Sequence, residues 1–228
     1  MGFSRFAVPQ QGTIVRTGEE RATLIRRTYS LVFASILVTI AGTAYAMTQQ
    51  SMMDAVSAHP IITFICAFVP LMLAQASRNS FPRNIVFVFL FTFAMGLYVA
   101  PGIAWAEAHN PGIASQAGLL TFTAFGALTM YSFLSRRDFS AWGGFLFVGL
   151  IVLIVTSVLN MFFGSASGFT WIAAIGVLLF SGLLVFDTWR MRNLYGPDDY
   201  VIAAVSIYLD LLNMFLFILS LLSGGRKN

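Results

Sequence analysis

The sequence predicts an all-α integral membrane protein with seven transmembrane helices, on three observations. Of its 228 residues, 58% are hydrophobic and 10% are charged, whereas a soluble domain carries about 25% charged residues. The apolar residues form continuous runs of membrane-helix length, and do not alternate with polar residues as in an outer-membrane barrel. Between the runs, positive charges occur only in every second connection. Together these features exclude a soluble enzyme on a membrane anchor, a disordered chain and a disulfide-stapled secreted module.

Seven apolar runs are long enough to cross a bilayer, and each lacks Lys, Arg and Glu. In chain order they are Tyr29–Met47, Pro60–Ala76, Ile85–Pro101, Gly118–Leu134, Trp142–Phe162, Phe169–Phe186 and Val201–Leu222. The connections between them are short, so the chain is divided into an N-terminal tail (1–28), one seven-helix domain (29–222) and a short C-terminal tail (223–228). The segments 48–59 and 102–117 are expected to be loops.

The arginines predict the orientation. Eleven of them lie in the N-terminal tail and in the second, fourth and sixth connections, and the intervening connections hold no Lys or Arg. Cytoplasmic loops carry the excess of positive charge, so the N-terminus is expected to be cytoplasmic. The basic tail precedes a run that is too long for a signal peptide. Short tails without a transit peptide favour a bacterial inner membrane, and the alternating placement of the arginines argues against nucleic acid as the partner.

The C-terminus leaves two alternatives open. A full seventh span would place Arg226 and Lys227 outside, against the charge rule, whereas a re-entrant seventh segment would return them to the cytoplasm. The length of the seventh run favours the full span.

Acidic residues inside apolar runs are the candidate functional residues, since burying a carboxylate in a membrane is costly. Asp210 lies about ten residues into the seventh run, or ~15 Å along the helix, with Asn213 and Tyr208 as a supporting polar face. Asp187 directly follows the sixth run. The alternatives are a structural hydrogen bond for Asp210 and a simple interfacial carboxylate for Asp187.

Missing residues argue against an enzyme. The one lysine, Lys227, is in the tail, so no Schiff-base lysine lies in a span. His59 and His109 are in the connections without basic residues, where they cannot serve an intramembrane serine. Together with the single cysteine, Cys66, they do not make a zinc site. No cofactor is expected.

The motif Tyr208-Leu-Asp210-Leu-Leu-Asn213-Met-Phe215 resembles the C-terminal signature of the Bax inhibitor family. Two further segments, Phe180–Thr188 and Arg136–Ser140, resemble the end of that family's sixth helix and its connection between helices four and five. The similarity runs from about Arg26 to Leu222, and the short tails are most like the prokaryotic branch.

The resemblance implies one central helix wrapped by the other six. It also implies a pH-sensitive calcium leak, with calcium as the transported ion. The pH sensor and transient calcium contacts of the family match Asp187 and Asp210, and a helix-two arginine that latches the sensor matches Arg78, with Arg83 as the alternative. Two such acids are expected to titrate as a unit.

A second hypothesis assigns the chain no ion transport. In it, the protein is an interaction partner of another membrane protein, such as a protease, or acts in a stress or cell-death response. The aspartates would then be structural. Partners common to both hypotheses are the lipid bilayer and, for the first, calcium ions.

Overall fold

The computed structural model describes residues 18–77, 80–163 and 166–224, and these residues form a bundle of α-helices. The helices are α1 (Gly18–Met47), α2 (Gln50–Ala58), α3 (Pro60–Ala76), α4 (Arg83–His109), α5 (Ile113–Leu134), α6 (Trp142–Phe163), α7 (Ala166–Asn193) and α8 (Tyr200–Leu222). A short 3₁₀ turn, Pro197–Asp199, precedes α8. The expected all-α class is therefore confirmed.

Local chemistry explains where several helices begin. Glu19 and Glu20 occupy the first turn of α1, where the positive end of the helix dipole interacts favourably with acidic side chains. Pro60 stands in the first turn of α3, a position that needs no N–H donor. Before α5, Glu107 accepts hydrogen bonds from the backbone N–H groups of Gly112 (2.7 Å) and Ala114 (2.8 Å). These bonds satisfy donors that the first turn leaves free.

Helix α8 is the centre of the bundle. It contacts α1, α4, α5 and α7, while α3 packs mainly on α4 and α6 packs on α7. In its most apolar stretch 56% of the residues are buried, against 11% for α6. The predicted central helix is thus found, wrapped by four of the described helices, with α3 and α6 in an outer layer.

Side-chain contacts fix the helix directions. Thr39 bonds the carbonyl of Thr92, and Thr43 bonds that of Gly96, so α1 and α4 run parallel. Phe180 stacks on Phe217, and Ser181 contacts Met214, so α7 and α8 are antiparallel. Parallel α1 and α4 and antiparallel α7 and α8 are the directions expected when successive membrane spans alternate in direction.

The arginines gather at one end of this bundle, which we call the basic end. It comprises the starts of α1, α4, α6 and α8 and the ends of α3, α5 and α7. The described arginines there are Arg21, Arg26, Arg27, Arg83, Arg136, Arg137, Arg190 and Arg192.

Among the described residues, six helices are long and apolar enough to cross a membrane, and the bent pair of α2 and α3 raises the number to seven if it counts as one span. The second predicted span is the weak one, because α3 has 17 residues and therefore reaches only ~25 Å. Its axis makes an angle of 102° with α2. The break that was expected as an alternative at the seventh segment lies here, while α8 is continuous over 23 residues.

Three predicted boundaries need correction. The segment 48–59 is not a loop, because it contains α2. Helix α4 continues through Pro101 to His109 and α5 already begins at Ile113, so only residues 110–112 of the loop expected at 102–117 lie outside a helix. The polar residues of 18–28 belong to α1, which begins inside the predicted N-terminal tail. In the last two cases a helix continues beyond its apolar run, into the region where water or head groups solvate polar side chains.

Candidate functional site: the aspartates of α7 and α8

The antiparallel packing of α7 and α8 brings Asp187 and Asp210 to the same level. Asp187 precedes the end of α7 by six residues, and Asp210 follows the start of α8 by ten. Both therefore lie ~9–15 Å from helix ends at the basic end of the bundle. The prediction that Asp187 terminates its helix is wrong, because α7 continues to Asn193. The carboxylate lies inside a helical span.

Asp210 is the more deeply buried acid. It is 5% exposed, and it lies within electrostatic range of Asp187 and Arg190. Its Oδ2 atom has no hydrogen-bond partner among the described residues. Burying a carboxylate oxygen without a partner is costly, so this atom marks a place where a proton, a cation or water would stabilise the site.

Asp187 is held from both helices. The hydroxyl of Ser206 on α8 lies close to its carboxylate. The Nη1 atom of Arg190, one turn further along α7, lies 3.5 Å from its Oδ1 atom. Charge-assisted hydrogen bonds of this type are typically ~2.7–2.9 Å long. The arginine is therefore in ionic contact with Asp187 without a tight hydrogen bond.

Aromatic rings hold Arg190 in place. Its guanidinium carbon lies 5.0 Å from the ring centre of Tyr195 and 5.7 Å from that of Phe186. Burial raises the pKa of the Tyr195 phenol, although the charge of Arg190 opposes the shift. The phenol therefore stays neutral near pH 7, and among the described residues the charged groups that act on Asp210 are Asp187 and Arg190.

Arg190 was missed by the sequence analysis, which counted it only as a loop charge. A usable signal was its i+3 spacing from Asp187, which places the two side chains on one helix face. That signal depends on α7 continuing past its apolar run. The expected latch, Arg78, lies outside the described residues. The alternative, Arg83, is exposed as the first residue of α4, which packs beside α1.

The structure separates Tyr208 from the acids, with which the sequence had grouped it. Its hydroxyl lies 2.7 Å from the hydroxyl of Thr39 on α1, and its ring meets Phe91 of α4 edge-on. Two residues correspond to ~200° around a helix, so Tyr208 and Asp210 point to different sides of α8.

Asn213 donates to the carbonyl of Leu209, one turn earlier on its own helix, at 2.8 Å. This bond occupies the side-chain amide locally.

Among the residues that the structure describes, no group of three or more His, Cys, Asp and Glu could hold a metal ion. Any calcium contact at the aspartates would therefore involve two carboxylates.

These features define a class: a multi-pass helical membrane protein whose central helix carries a buried acid against its neighbour. The family model described as "Inhibitor of apoptosis-promoting Bax1" matches residues 21–228. The chain therefore belongs to the Bax inhibitor family.

Relatives occur in animals, viruses and bacteria. The chain is 32% identical to the mouse protein lifeguard 4, over 91% of its own length and 87% of the relative's. It is 31% identical to a Golgi anti-apoptotic protein of vaccinia virus, over the same shares. It is also 32% identical to a membrane protein of Vibrio cholerae, over 90% and 91% of the two chains.

Proposed function

We propose that this protein conducts a slow, pH-sensitive leak of calcium ions across the membrane, gated by Asp187 and Asp210. The observation that carries the proposal is the buried acid pair between α7 and α8, with the unpartnered Oδ2 of Asp210. Ionisable groups within membrane spans mark ion and proton pathways. No catalytic residue is part of the proposal.

The ligand chemistry suits a passing calcium ion better than a resident one. Calcium takes six to eight oxygen ligands. Two carboxylates and the hydroxyl of Ser206 supply only part of that shell, so water would provide the remainder. An incomplete shell allows the ion to enter and to leave, which a leak requires.

The seam between α7 and α8 is closed beyond the acids. Phe180 and Phe217 stack with their ring centres 5.8 Å apart, and the buried Met214 meets Ser181. An ion that reached Asp210 would meet this apolar contact next. Conduction therefore requires α7 and α8 to separate, which explains why the flux would be slow.

The opposite end of α8 offers an approach for cations. A cavity of about 490 Å³ lies there, and its wall includes Ser57, Ser220 and Ser223. The last carbonyls of a helix carry partial negative charge, which attracts cations. The acid pair and this cavity thus lie at two levels of the same helix.

Protonation supplies the gate. Two neighbouring carboxylates titrate as a unit. A proton shared between them ties α7 to α8. Its loss leaves adjacent negative charges that separate, bind calcium or recruit an arginine, either Arg190 or the expected latch Arg78.

The proposed location is a bacterial inner membrane with the basic end and the N-terminus in the cytoplasm. The distribution of arginines supports this orientation, and a bacterial relative supports the compartment.

A continuous α8 then places Asn228 outside. In a chain lacking Cys66, a cysteine at this position should react with an impermeant thiol reagent in intact cells. Labelling that needs cell lysis would contradict the orientation.

Calcium flux into vesicles tests the function. Purified protein is reconstituted into liposomes that contain a calcium-sensitive dye, and entry is followed from about pH 5 to pH 8. We expect flux above that of empty vesicles, with a pH dependence. Flux equal to that of empty vesicles at every pH would exclude the leak.

The second candidate is a membrane interaction protein without ion transport. The name of the vaccinia relative, a Golgi anti-apoptotic protein, favours it. The proposed partner is another membrane protein, such as a protease, in a stress or cell-death response. If this candidate is correct, Asp187→Asn and Asp210→Asn should leave partner binding intact while the vesicle assay shows no flux.

A further inference from the structure

A cleft of about 930 Å³ opens between α1 and α4 at the basic end of the bundle. Nearer the middle of the bundle these helices touch closely: a Cβ atom added to Gly42 would lie 2.5 Å from the carbonyl oxygen of Phe93, and one added to Gly96 would collide with the carbonyl of Thr39. The same two helices are therefore in backbone contact at mid-bundle and separated at the basic end. The first turn of α8 closes the cleft on its third side.

The walls of the cleft are basic at one level and apolar at the next. Arg26, Arg27 and Ser30 line it near the start of the first apolar run. Leu31 and Ala34 line it one to two turns deeper on α1, and Ile85 and Phe89 do so on α4. Because α1 and α4 run parallel, both helices enter the bilayer from the basic end. The basic level therefore lies at the edge of the bilayer, and the apolar level lies within it.

The charge at the basic level favours an anion. Two arginines line the cleft together with one acid, Asp198. The guanidinium of Arg27 lies over the ring of Tyr200, 5.7 Å from its centre, which fixes its position. Arg83, the first residue of α4, adds a further positive charge next to the lining residues.

We propose that this cleft binds one acidic phospholipid of the adjacent leaflet. Its phosphate contacts Arg26 and Arg27, and the upper part of an acyl chain lies along Leu31, Ala34 and Phe89. Basic pockets between membrane helices recognise anionic head groups in this way. The site lies on α1 and α4, away from the aspartates, so it is independent of the proposed calcium leak.

The apolar level distinguishes this site from two simpler cases. An arginine that merely reaches the head-group region needs no groove beneath it. A soluble anion would gain nothing from the aliphatic and aromatic walls. A lipid uses both levels at once.

Native mass spectrometry of the purified full chain in detergent tests the site. The probes are dioleoylphosphatidylglycerol and, with the same acyl chains, dioleoylphosphatidylcholine. The test variant is Arg26→Gln/Arg27→Gln, and the matched control is Arg136→Gln/Arg137→Gln, which removes two exposed arginines from the same end. We expect the test variant to bind phosphatidylglycerol at least about tenfold more weakly, while the control binds as the wild type does. Equal losses in both variants would overturn the proposal in favour of a diffuse charge effect.

A second variant keeps every charge. Ala34→Phe fills the apolar level of the cleft, so it should also weaken binding of phosphatidylglycerol severalfold, and it decides the question if the arginine variant does not fold. Unchanged binding in a folded Ala34→Phe variant would place the lipid elsewhere.

Glycerol 3-phosphate is the soluble competitor. We expect it not to displace the lipid. Displacement at equal concentration would identify a soluble-anion site and overturn the lipid assignment.

Discussion

Two sides of α8 carry polar groups inside the bundle, and they differ in how these groups are satisfied. On the side of α1 and α4, the hydroxyl of Thr39 meets the Tyr208 hydroxyl and reaches two backbone carbonyls, those of Ser35 and Thr92. On the side of α7, the described residues place one guanidinium, that of Arg190, beside two carboxylates, and they offer no partner to Asp210 Oδ2.

The difference indicates two roles. A neutral, fully bonded cluster gains nothing from a change of protonation, so the Thr39–Tyr208 side is a fixed joint that holds α8 against α1 and α4. A charged cluster with an unpartnered oxygen is stabilised by adding a proton or a cation. The α7 side is therefore the one expected to move.

The largest expected effect tests the rigidity of the fixed joint. Gly96→Ala should lower the free energy of unfolding by about 1–3 kcal/mol, because the added Cβ atom meets the backbone of α1, which no rotamer change relieves. The control is Gly126→Ala, at a glycine with nothing within 4 Å of the added atom. Thermal unfolding in detergent provides the measurement. Equal stability of the two variants would show that the joint is loose.

The next effect concerns the cation beside the acids. Arg190→Gln removes the positive charge that favours their ionised form, so the pH at which the leak changes should move to higher pH by about one unit. The matched control, Arg192→Gln, removes a guanidinium that bonds the carbonyls of Phe133 and Ser135 instead. It should lower stability and leave the pH midpoint in place. An unchanged midpoint in the Arg190 variant would remove this residue from the sensor.

A smaller effect is expected from Tyr208→Phe. Loss of the hydroxyl removes its contact with Thr39, whose single hydroxyl proton is still shared between the carbonyls of Ser35 and Thr92. Hydrogen bonds between membrane helices contribute about 0.6 kcal/mol on average, so the unfolding temperature should fall slightly. A drop as large as that of Gly96→Ala would show that the hydroxyl carries the joint.

The smallest effect belongs to the latch that the sequence predicts. Removing an arginine that pairs with the aspartates and holds the closed state should raise the leak, by up to about fivefold if the pair contributes about 1 kcal/mol, so this is the increase expected of Arg78→Ala. Arg137→Ala is the control, because Arg137 is exposed in the connection between α5 and α6. Equal leaks from the two variants would argue against a specific latch.

Much of this fold could be predicted from the sequence because lipid imposes long apolar helices. The runs that become α5 and α6 begin or end within a few residues of the observed helices. The apolar runs do not predict α2 or the polar ends of α1, α4 and α7, since a helix outside the hydrocarbon layer needs no apolar run.

The candidate site was only partly predictable. Asp210 stands out because an acid within a membrane run is rare. Arg190 does not stand out in the sequence. Its position beside Asp187 depends on the continuation of α7 past its apolar run and on the rings of Phe186 and Tyr195. Tyr208 was grouped with Asp210 by closeness in sequence, although packing against α1 and α4 places it on another side of α8.

The most direct test of the two roles is the calcium leak of Asp210→Asn and Tyr208→Phe, measured side by side from about pH 5 to pH 8 in the same liposomes. Asp210→Asn keeps the shape of the side chain and removes its titration, so its leak should no longer depend on pH. Asp187→Asn should have the same effect, and the double variant should add little. Tyr208→Phe should keep the pH profile of the wild type. A wild-type profile in both aspartate variants, or a flat profile in Tyr208→Phe, would contradict the assignment of the pH sensor to the α7 side of α8.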